Sequence, residues 1–467
     1  MSSDQPRRRD TTRSQEFTVD SAPACFYLYR VFPLSKDGTP AAMRLDGPAT
    51  LGRDPDGNDL AFDDPLMSRT HLEIRRGSPG QSGPSAPGGP GGPGGRSGPC
   101  APGGPGGPWR VLDRGSKNGL FVNGVRVDGR TVGDGDVVRA GGTVLVLREI
   151  SLSVPEPAGP RAPFVSFSPC MRLAEEACRR VAPTGAAVLL LGETGTGKEV
   201  LARHVHDRSG ARGRFVPVNC AAIAPSLFES ALFGHRRGAF TGAAADFAGL
   251  ARQAASGTLF LDEIGELQPE VQPKLLRFLE TGELATVGDR DPGRVDTRIV
   301  AATNADVEKA VSTGRFRRDL YARLAECVVR IPPLRDRPED ALLIALRRLR
   351  ELGSGASADA AEAIAVHDWP LNVRELLAAV NAAALSSGGR EVAPADLPPE
   401  VRALVHPRRD ERGGTTRTGV PEPPPGPDVL AELLRTCEGN VSEVARRLGK
   451  DRKQVYRWMA RHGLKGA

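Results

Sequence analysis

The stretch from Val188 to Glu199, VLLLGETGTGKE, constrains this chain more than any other. A short apolar run, Val188 to Leu191, ends at glycine and reads as a buried parallel strand. The residues from Glu199 to Val205 carry apolar side chains at helical spacing. Between the two lies Gly192-Glu193-Thr194-Gly195-Thr196-Gly197-Lys198. Strand, glycine loop and helix start together make a phosphate cradle. The glycines let successive backbone N–H groups curl toward phosphate oxygens, and the helix N-terminus adds partial positive charge. Lys198 then reaches the outer phosphates. A hydroxyl residue usually follows that lysine as a magnesium ligand. Glu199 stands there instead, which leaves the first magnesium ligand open.

The 467 residues are enough for three or four domains, and 39% are apolar, enough to build cores. Lys and Arg exceed Asp and Glu by only 6, so the placement of charge matters more than its total. The 7 cysteines are scattered from Cys25 to Cys437 with no C-x-x-C, which points to reduced thiols rather than a disulfide framework. The segment Met1 to Phe17 is polar and arginine-rich, unlike a signal peptide. No stretch approaches the roughly 20 apolar residues of a membrane span. A soluble cytoplasmic protein with no membrane partner is expected.

From about Ala22 to Leu152 the pattern is all-β. Cys25 to Val31, His71 to Ile74, Trp109 to Leu112, Leu120 to Val122 and Thr143 to Leu147 read as strands. Asp56-Gly57-Asn58, Asn118-Gly119, Asn123-Gly124, Asp128-Gly129 and Asp134-Gly135 read as turns. The insert 77–108 is nearly all Gly, Pro and Ser and is expected to be a disordered loop. Leu51-Gly52-Arg53, Ser68-Arg69-Thr70-His71, Asp113 to Gly119 and Val122-Asn123-Gly124 resemble the loop motifs of forkhead-associated (FHA) domains, with Leu120 in place of a frequent threonine. That resemblance implies phosphothreonine binding. Arg53 and Ser68 would hold the phosphate, Arg69 and Lys117 would lie nearby, and Asn118 would fix the peptide backbone. His71 would orient the serine loop. A phosphate suits an arginine fork with short donors on loops. A sandwich used only for packing or dimerisation is the alternative.

The chain after Phe164 reads as an α/β ATPase built on the glycine loop. Arg214 to Ala222 gives a second strand with polar Asn219. Thr258 to Leu261 gives a third, followed by Asp262-Glu263. Paired acids at the end of a buried strand can hold magnesium through water (Asp262) and polarise an attacking water (Glu263). A fourth strand, Arg298 to Ala302, ends in Thr303-Asn304, a place suited to sensing the last phosphate. Beyond Ile331 the pattern turns helical, over Ala341 to Leu352 and Ala358 to His367.

GETGTGKE, VNCAA, ESALFGH, GAFTGA, GTLFLDEIGE, AATN, GRFRRDLYARL, IPPLRDR and WPLNVREL together resemble the AAA+ module of bacterial enhancer-binding proteins, the activators of sigma-54 RNA polymerase. The resemblance covers about half the chain, and glutamate at the Glu199 position is a trait of that family. It implies that the GAFTGA loop, Gly238-Ala239-Phe240-Thr241-Gly242-Ala243, touches sigma-54, with Phe240 and Thr241 supplying the contact. It implies that Arg317 and Arg323 are arginine fingers entering a neighbouring subunit's ATP site, which requires a self-assembled ring, expected to be a hexamer. It makes Asn219 a restraint on Glu263 until ATP binds, and Arg374 a second sensor contacting ATP from the helical lid. Leu371 stands where the family usually has glycine, which puts that helix entry in doubt.

At the C-terminus, Val429 to Cys437, Val441 to Leu448 and Arg452 to His462 read as helices, and the last two form a helix-turn-helix. Arg452, Lys453, Gln454 and Arg457 lie outside on the last helix, suited to base edges, and Arg446 suits phosphates. EGNVSEVARRLGKDRKQVYRWMARHGL resembles a Fis-type DNA-binding domain.

The expected division is a disordered N-terminus (1–21), an FHA sandwich (22–152), a linker (153–163), an α/β ATPase (164–335), an all-α lid (336–405), a linker (406–427) and a helix-turn-helix (428–467). The expected function is an ATP- and magnesium-dependent activator. It would bind upstream DNA, remodel the sigma-54 RNA polymerase closed complex, and respond to a phosphothreonine protein or a Ser/Thr kinase. A phosphopeptide-binding scaffold on DNA, or an AAA+ remodeller of another target, are the alternatives.

Overall fold

Among the described residues, eleven strands build the N-terminal sandwich: β1 (Ala24–Phe32), β2 (Ala41–Leu45), β3 (Ala49–Gly52), β4 (Leu60–Ala61), β5 (Leu72–Arg76), β6 (Trp109–Asp113), β7 (Leu120–Val122), β8 (Val125–Val127), β9 (Gly129–Val132), β10 (Val137–Ala140) and β11 (Thr143–Ser151). One sheet runs β2-β1-β11-β10-β7-β8 and the other β4-β3-β5-β6-β9. The computed structural model describes residues 24–34, 40–77, 108–151, 166–240, 243–284, 293–404 and 427–437, with positions 441, 444 and 459. The N-terminal segment, most of the Gly/Pro/Ser insert and both expected linkers lie outside the described residues. The insert connects β5 to β6, which pair antiparallel, and Gly77 N–H donates to the Pro108 carbonyl at 2.8 Å. The β7–β8 hairpin turns on Asn123 and Gly124, both at positive φ (50° and 76°), the two-residue turn whose twist suits adjoining strands.

Between the two sheets pack Leu28, Leu51, Leu72, Ile74, Trp109, Val111, Leu120, Leu145 and Leu147. The alternate residues of the first sheet are also buried. Tyr29, Val31, Val137, Val144 and Val146 share a second core with the lid helices. Both faces of β1, β10 and β11 are therefore covered, an uncommon state for an antiparallel sheet.

The ATPase layer follows: α1 (Pro169–Val181), β12 (Val188–Leu191), α2 (Lys198–Arg208), β13 (Phe215–Asn219), α3 (Pro225–Phe233), α4 (Leu250–Gln253), β14 (Thr258–Asp262), α5 (Gln272–Thr281), β15 (Glu283–Leu284), β16 (Gly293–Arg294), β17 (Arg298–Thr303), α6 (Val307–Ser312), α7 (Arg318–Leu324) and β18 (Cys327–Arg330). Its main sheet is parallel, in the order β13-β14-β17-β12-β18. The four expected strands are present, and β18 is a fifth that sequence reading did not pick out. Leu189, Leu259, Leu261 and Ala301 pack on one face. Val188, Leu190, Phe260, Val300 and Ala302 pack on the other. Burial on both sides explains the unbroken apolar runs.

The lid consists of α8 (Pro338–Glu351), α9 (Ala358–Val366), α10 (Asn372–Ser387) and α11 (Pro399–Arg402). Helix α8 starts three residues earlier than the apolar pattern implied, because Pro338 occupies its first turn, where a missing N–H costs nothing. Sandwich, ATPase layer and lid fall in one compact unit, Met1–Pro407, and the rest in a second, Arg408–Ala467. In the second unit α12 (Pro427–Thr436) is described, and Leu430 and Cys437 pack with Val441, Val444 and Met459. Arg446, Arg452, Lys453, Gln454 and Arg457 lie outside the described residues. Among the described residues no helix is long and apolar enough to cross a membrane.

Candidate functional site

The glycine loop sits at the C-terminal end of central strand β12, where open α/β sheets hold ligands. Gly195 has φ of 78°, and a Cβ there would stand 2.3 Å from the Leu371 carbonyl oxygen, so no larger residue fits. Lys198 is buried. Its Nζ donates to the carbonyls of Gly192 (2.9 Å) and Glu193 (3.3 Å) and lies 3.6 Å from the Glu263 carboxylate. Thr196 Oγ1 donates to the Glu193 carbonyl at 2.8 Å. Glu199 points outward, 3.5 Å from Arg203 one turn on.

Asp262 ends β14. Burial, then the neighbouring Glu263 charge, push its carboxyl above the usual range. A half-buried pair of acids at the end of β14, beside the glycine loop, suits a divalent cation. Glu263 adopts the left-handed conformation (φ 53°, ψ 46°), a strain of about 1–3 kcal/mol for a residue with a side chain. Its carboxylate accepts from the Asn304 N–H at 3.1 Å, and the Asn304 side chain donates to Thr194 Oγ1 at 2.8 Å. Thr303 is buried, and its carbonyl accepts from the Gly192 N–H. The structure thus brings Lys198, Asp262, Glu263, Thr303 and Asn304 together at the glycine loop. Asn219 is level with Asp262 across β13 and β14, but its side-chain oxygen accepts from the Ala221 and Ala222 N–H groups at 2.9 and 3.1 Å. In this structure Glu263 is held by Asn304 and Lys198 rather than by Asn219.

Three lid residues that sequence reading did not single out hold the far side of the loop. Arg335 forms a fork on the Glu193 carboxylate at 2.6 and 2.9 Å, which pulls that carboxyl below its usual range. Arg337, buried, donates to the Thr196 carbonyl at 2.8 Å. Asn372, fully buried, donates to Glu193 and to the Thr194 carbonyl, and its own oxygen accepts from the Leu334 N–H. Val373 N–H donates to the Gly195 carbonyl at 3.0 Å. Arg374 follows directly, its Cβ against Gly195. The one available signal was position: IPPLRDR follows β18 into the lid, and WPLNVREL joins α9 to α10. Leu371 does not disturb the helix entry. The positive φ angles fall on Trp369 and Asn372, while Leu371 itself is at −100° with an exposed side chain.

In the sandwich the predicted phosphate loops also meet. Arg53 N–H donates to the Ser68 carbonyl (3.0 Å) and Lys117 N–H to Ser68 Oγ (3.0 Å). Asn118 Nδ2 donates to the Leu66 carbonyl at 2.5 Å. The Arg53, Arg69 and Lys117 side chains are exposed. Asn58, not singled out from sequence, ties the loops by donating to the Asp54 and Arg69 carbonyls. His71 is fully buried; its Nδ1 accepts from the Ser68 N–H at 3.1 Å, which places the proton on Nε2, 3.1 Å from the Gly119 carbonyl.

Residues 164–330 match the model of the sigma-54 interaction domain, residues 49–141 that of the FHA domain and residues 335–413 that of the AAA+ ATPase lid domain. The transcriptional regulatory protein ZraR of Salmonella typhimurium is 38% identical over 322 residues, 67% of this chain and 72% of ZraR. The chain belongs to the family of sigma-54-dependent transcriptional activators. The sigma54-dependent transcriptional activator SfnR of Pseudomonas putida is 47% identical over 227 residues, 47% of this chain; the chain spans 62% of SfnR, under two thirds of its length. NtrX from Brucella abortus, solved in complex with ATP, aligns at 28% identity with a TM-score of 0.47, over 65% of this chain and 70% of that one.

In this chain the GAFTGA segment stands on a narrow neck. His235 and Phe247 exchange backbone hydrogen bonds of 2.9 Å. Below them Gly249 (φ 84°) packs with its α-carbon so near Gly234 that a Cβ would lie 2.5 Å from the Gly234 nitrogen. Gly238 N–H donates to the Ala243 carbonyl, and the half-exposed Phe240 ring meets His235 edge-on at 5.0 Å. Thr241 and Gly242 lie outside the described residues. Arg323 lies on the outer face of α7 and Arg317 stands just before its first turn, both exposed, while Phe316, Leu320 and Leu324 turn inward. Arg317 is paired with Asp319 at 2.7 Å, and Arg323 faces Glu280 and Glu326 at 3.7 and 3.8 Å.

Burial holds the His71 imidazole below the ordinary histidine value, as it does His204 and His206. The folded state then takes up protons later than the unfolded chain. Stability is complete above about pH 6.5 and falls as pH drops below it. Urea unfolding followed at pH 7.5 and 5.5 is expected to show the loss, and the His71→Gln variant a shallower one; a sandwich equally stable at both pH values contradicts this placement.

Proposed function

We propose that this sigma-54-dependent activator hydrolyses ATP with magnesium as a hexameric ring and spends the cycle on remodelling the sigma-54 RNA polymerase closed complex from upstream DNA. The observation that carries this reading is the strained Glu263, aimed between Lys198 and Asn304 at the mouth of the glycine loop. ATP supplies the phosphoryl group, and magnesium neutralises its charge. Lys198 and the loop N–H groups bind the phosphates. Asp262 would hold the magnesium ion, and Glu263 orients the attacking water and takes its proton. Asn304 senses the last phosphate because it bonds both Glu263 and Thr194. Arg374 meets the nucleotide from the lid. Arg317 and Arg323, exposed at the start and end of α7, reach a neighbouring subunit's site, where their charge stabilises the transition state.

The GAFTGA loop carries the motion to sigma-54 through Phe240 and Thr241, and the helix-turn-helix residues Arg446, Arg452, Lys453, Gln454 and Arg457 hold the upstream DNA. The FHA loops take a phosphothreonine of a partner protein or kinase, through Arg53, Ser68, Arg69, Lys117 and Asn118. A remodeller of another protein target is the second reading, and the GAFTGA loop on its stalk favours sigma-54 over it.

Glu263→Gln is expected to keep ATP binding and lose turnover by at least about a hundredfold, whereas Thr241→Ala keeps turnover and loses opening of a sigma-54 promoter. Steady-state ATP hydrolysis and permanganate footprinting of the promoter read the two. Normal turnover by the first variant, or normal opening by the second, contradicts the assignment.

Calorimetric titration of a phosphothreonine peptide library is expected to yield binders that fail in unphosphorylated form and fail with Arg53→Ala. Equal binding by that variant would make the sandwich a packing module.

A further inference from the structure

Two buried arginines fasten the sandwich to the lid. Arg139, on β10, is wholly inaccessible. Its Nε donates to Glu362 of α9 at 2.5 Å, Nη1 lies 3.2 Å from Asp359, and the guanidinium covers the Phe121 ring at 3.9 Å. Glu362 also accepts from the Gly124 N–H of the β7–β8 turn. Arg148, on β11, meets Glu339 of α8 with two arms at 3.0 and 2.6 Å, reaches the Asp336 carbonyl at 2.7 Å, and bonds Asp134 at 3.1 Å.

These anchors differ in where they lead. Glu362 sits in the middle of α9, and its hydrogen bonds go to the sandwich. Glu339 and Asp336 belong to the strap Leu334 to Asp340, which also carries Arg335 and Arg337. Those two hold Glu193 and the Thr196 carbonyl of the glycine loop. The strap's Leu334 N–H is bound by Asn372, which reaches Glu193 and Thr194. From the sandwich to the phosphate cradle the path runs through hydrogen bonds between buried or half-buried groups, joined by the backbone of the strap itself. Asp340 of the same strap accepts from Ser166 and from the Phe167 and Ser168 N–H groups, so the entry of the chain into the ATPase layer is tied to it too.

We propose that Arg148 is a positioning residue for the nucleotide loop: by fixing Glu339 and the Asp336 carbonyl it sets where Arg335 and Arg337 hold Glu193 and Thr196, so that the seating of the sandwich tunes ATP affinity. This rests on the reading of the glycine loop as an ATP site. The Arg139 anchor provides the internal comparison, since it fastens the same two domains without reaching the loop. Removing one partner of a buried pair leaves an unpaired charge, whereas replacing both by apolar residues of similar size is often tolerated. The comparison is therefore between Arg148→Met/Glu339→Met and Arg139→Met/Glu362→Met in the full chain. Each is titrated with a fluorescent ATP analogue and assayed for KM and kcat, with folding followed by circular dichroism.

The first double variant is expected to bind the analogue about tenfold more weakly and raise KM with kcat largely kept, while the second stays within about twofold of wild type. Arg148→Lys keeps the charge and loses the fork, so it gives an intermediate loss and serves where the double variant fails to fold. Equal losses from both anchors would reduce the contact to simple docking and overturn the proposal. Unchanged affinity in Arg148→Lys or in the first double variant would also overturn it. A wild-type chain that binds no ATP analogue would overturn the ATP reading first, and the inference with it.

Discussion

The segment Leu334 to Asp340, which leads from β18 into the first turn of α8, is where the parts of this chain meet, and its charged side chains carry the contact. Arg335 and Arg337 face the glycine loop, while Glu339 faces Arg148 of the sandwich. Burial alone would disfavour charge on Arg148; the carboxylates of Glu339 and Asp134 more than reverse that and hold it above its ordinary range. Ion pairs of this kind contribute little net stability, since desolvation offsets attraction. What they supply is orientation. A guanidinium with three acceptors in fixed directions defines how the sheet sits on the helix, in a way that the surrounding apolar core of Val144, Val146, Leu342 and Leu349 does not.

The nucleotide site shows the same division between packing and direction. The parallel sheet is apolar on both faces and would accept many substitutions of like volume. The loop at its edge accepts few: Gly195 has no room for a side chain, and Glu263 is held in a strained conformation by Asn304 and Lys198. Left-handed strain falls on Glu263 and, on the lid side of the same loop, on Asn372, and strain at an acid fits a group that must be aimed.

Sequence reading recovered the parts whose chemistry is local. VLLLGETGTGKE, the acids after β14, and the loops around Arg53, Ser68 and Asn118 each lie in a few consecutive residues, and the structure brings each set together. The missed features depend on partners far along the chain. Strand β18 is four residues long and is defined by its pairing with β12. Arg335, Arg337 and Asn372 look like ordinary lid residues until the lid folds back on Glu193. The buried face of the sandwich did leave a trace. Val144 to Leu147 and Val137-Val138 do not alternate apolar with polar, as a half-solvated strand would, and the arginines beside those runs, Arg139 and Arg148, are the ones buried. Leu371 was read as a disturbance of the helix entry; the backbone places its left-handed turns one residue after it and two before, so glycine is not needed there.

Through the contacts of the strap the sandwich, the lid and the nucleotide loop are expected to respond together. Amide hydrogen exchange of the full chain with and without ATP tests this most directly. ATP is expected to slow exchange in α8 and, at the same time, in β11, which carries Arg148. Slowing confined to the glycine loop and the end of β14, with β11 unchanged, would contradict this coupling.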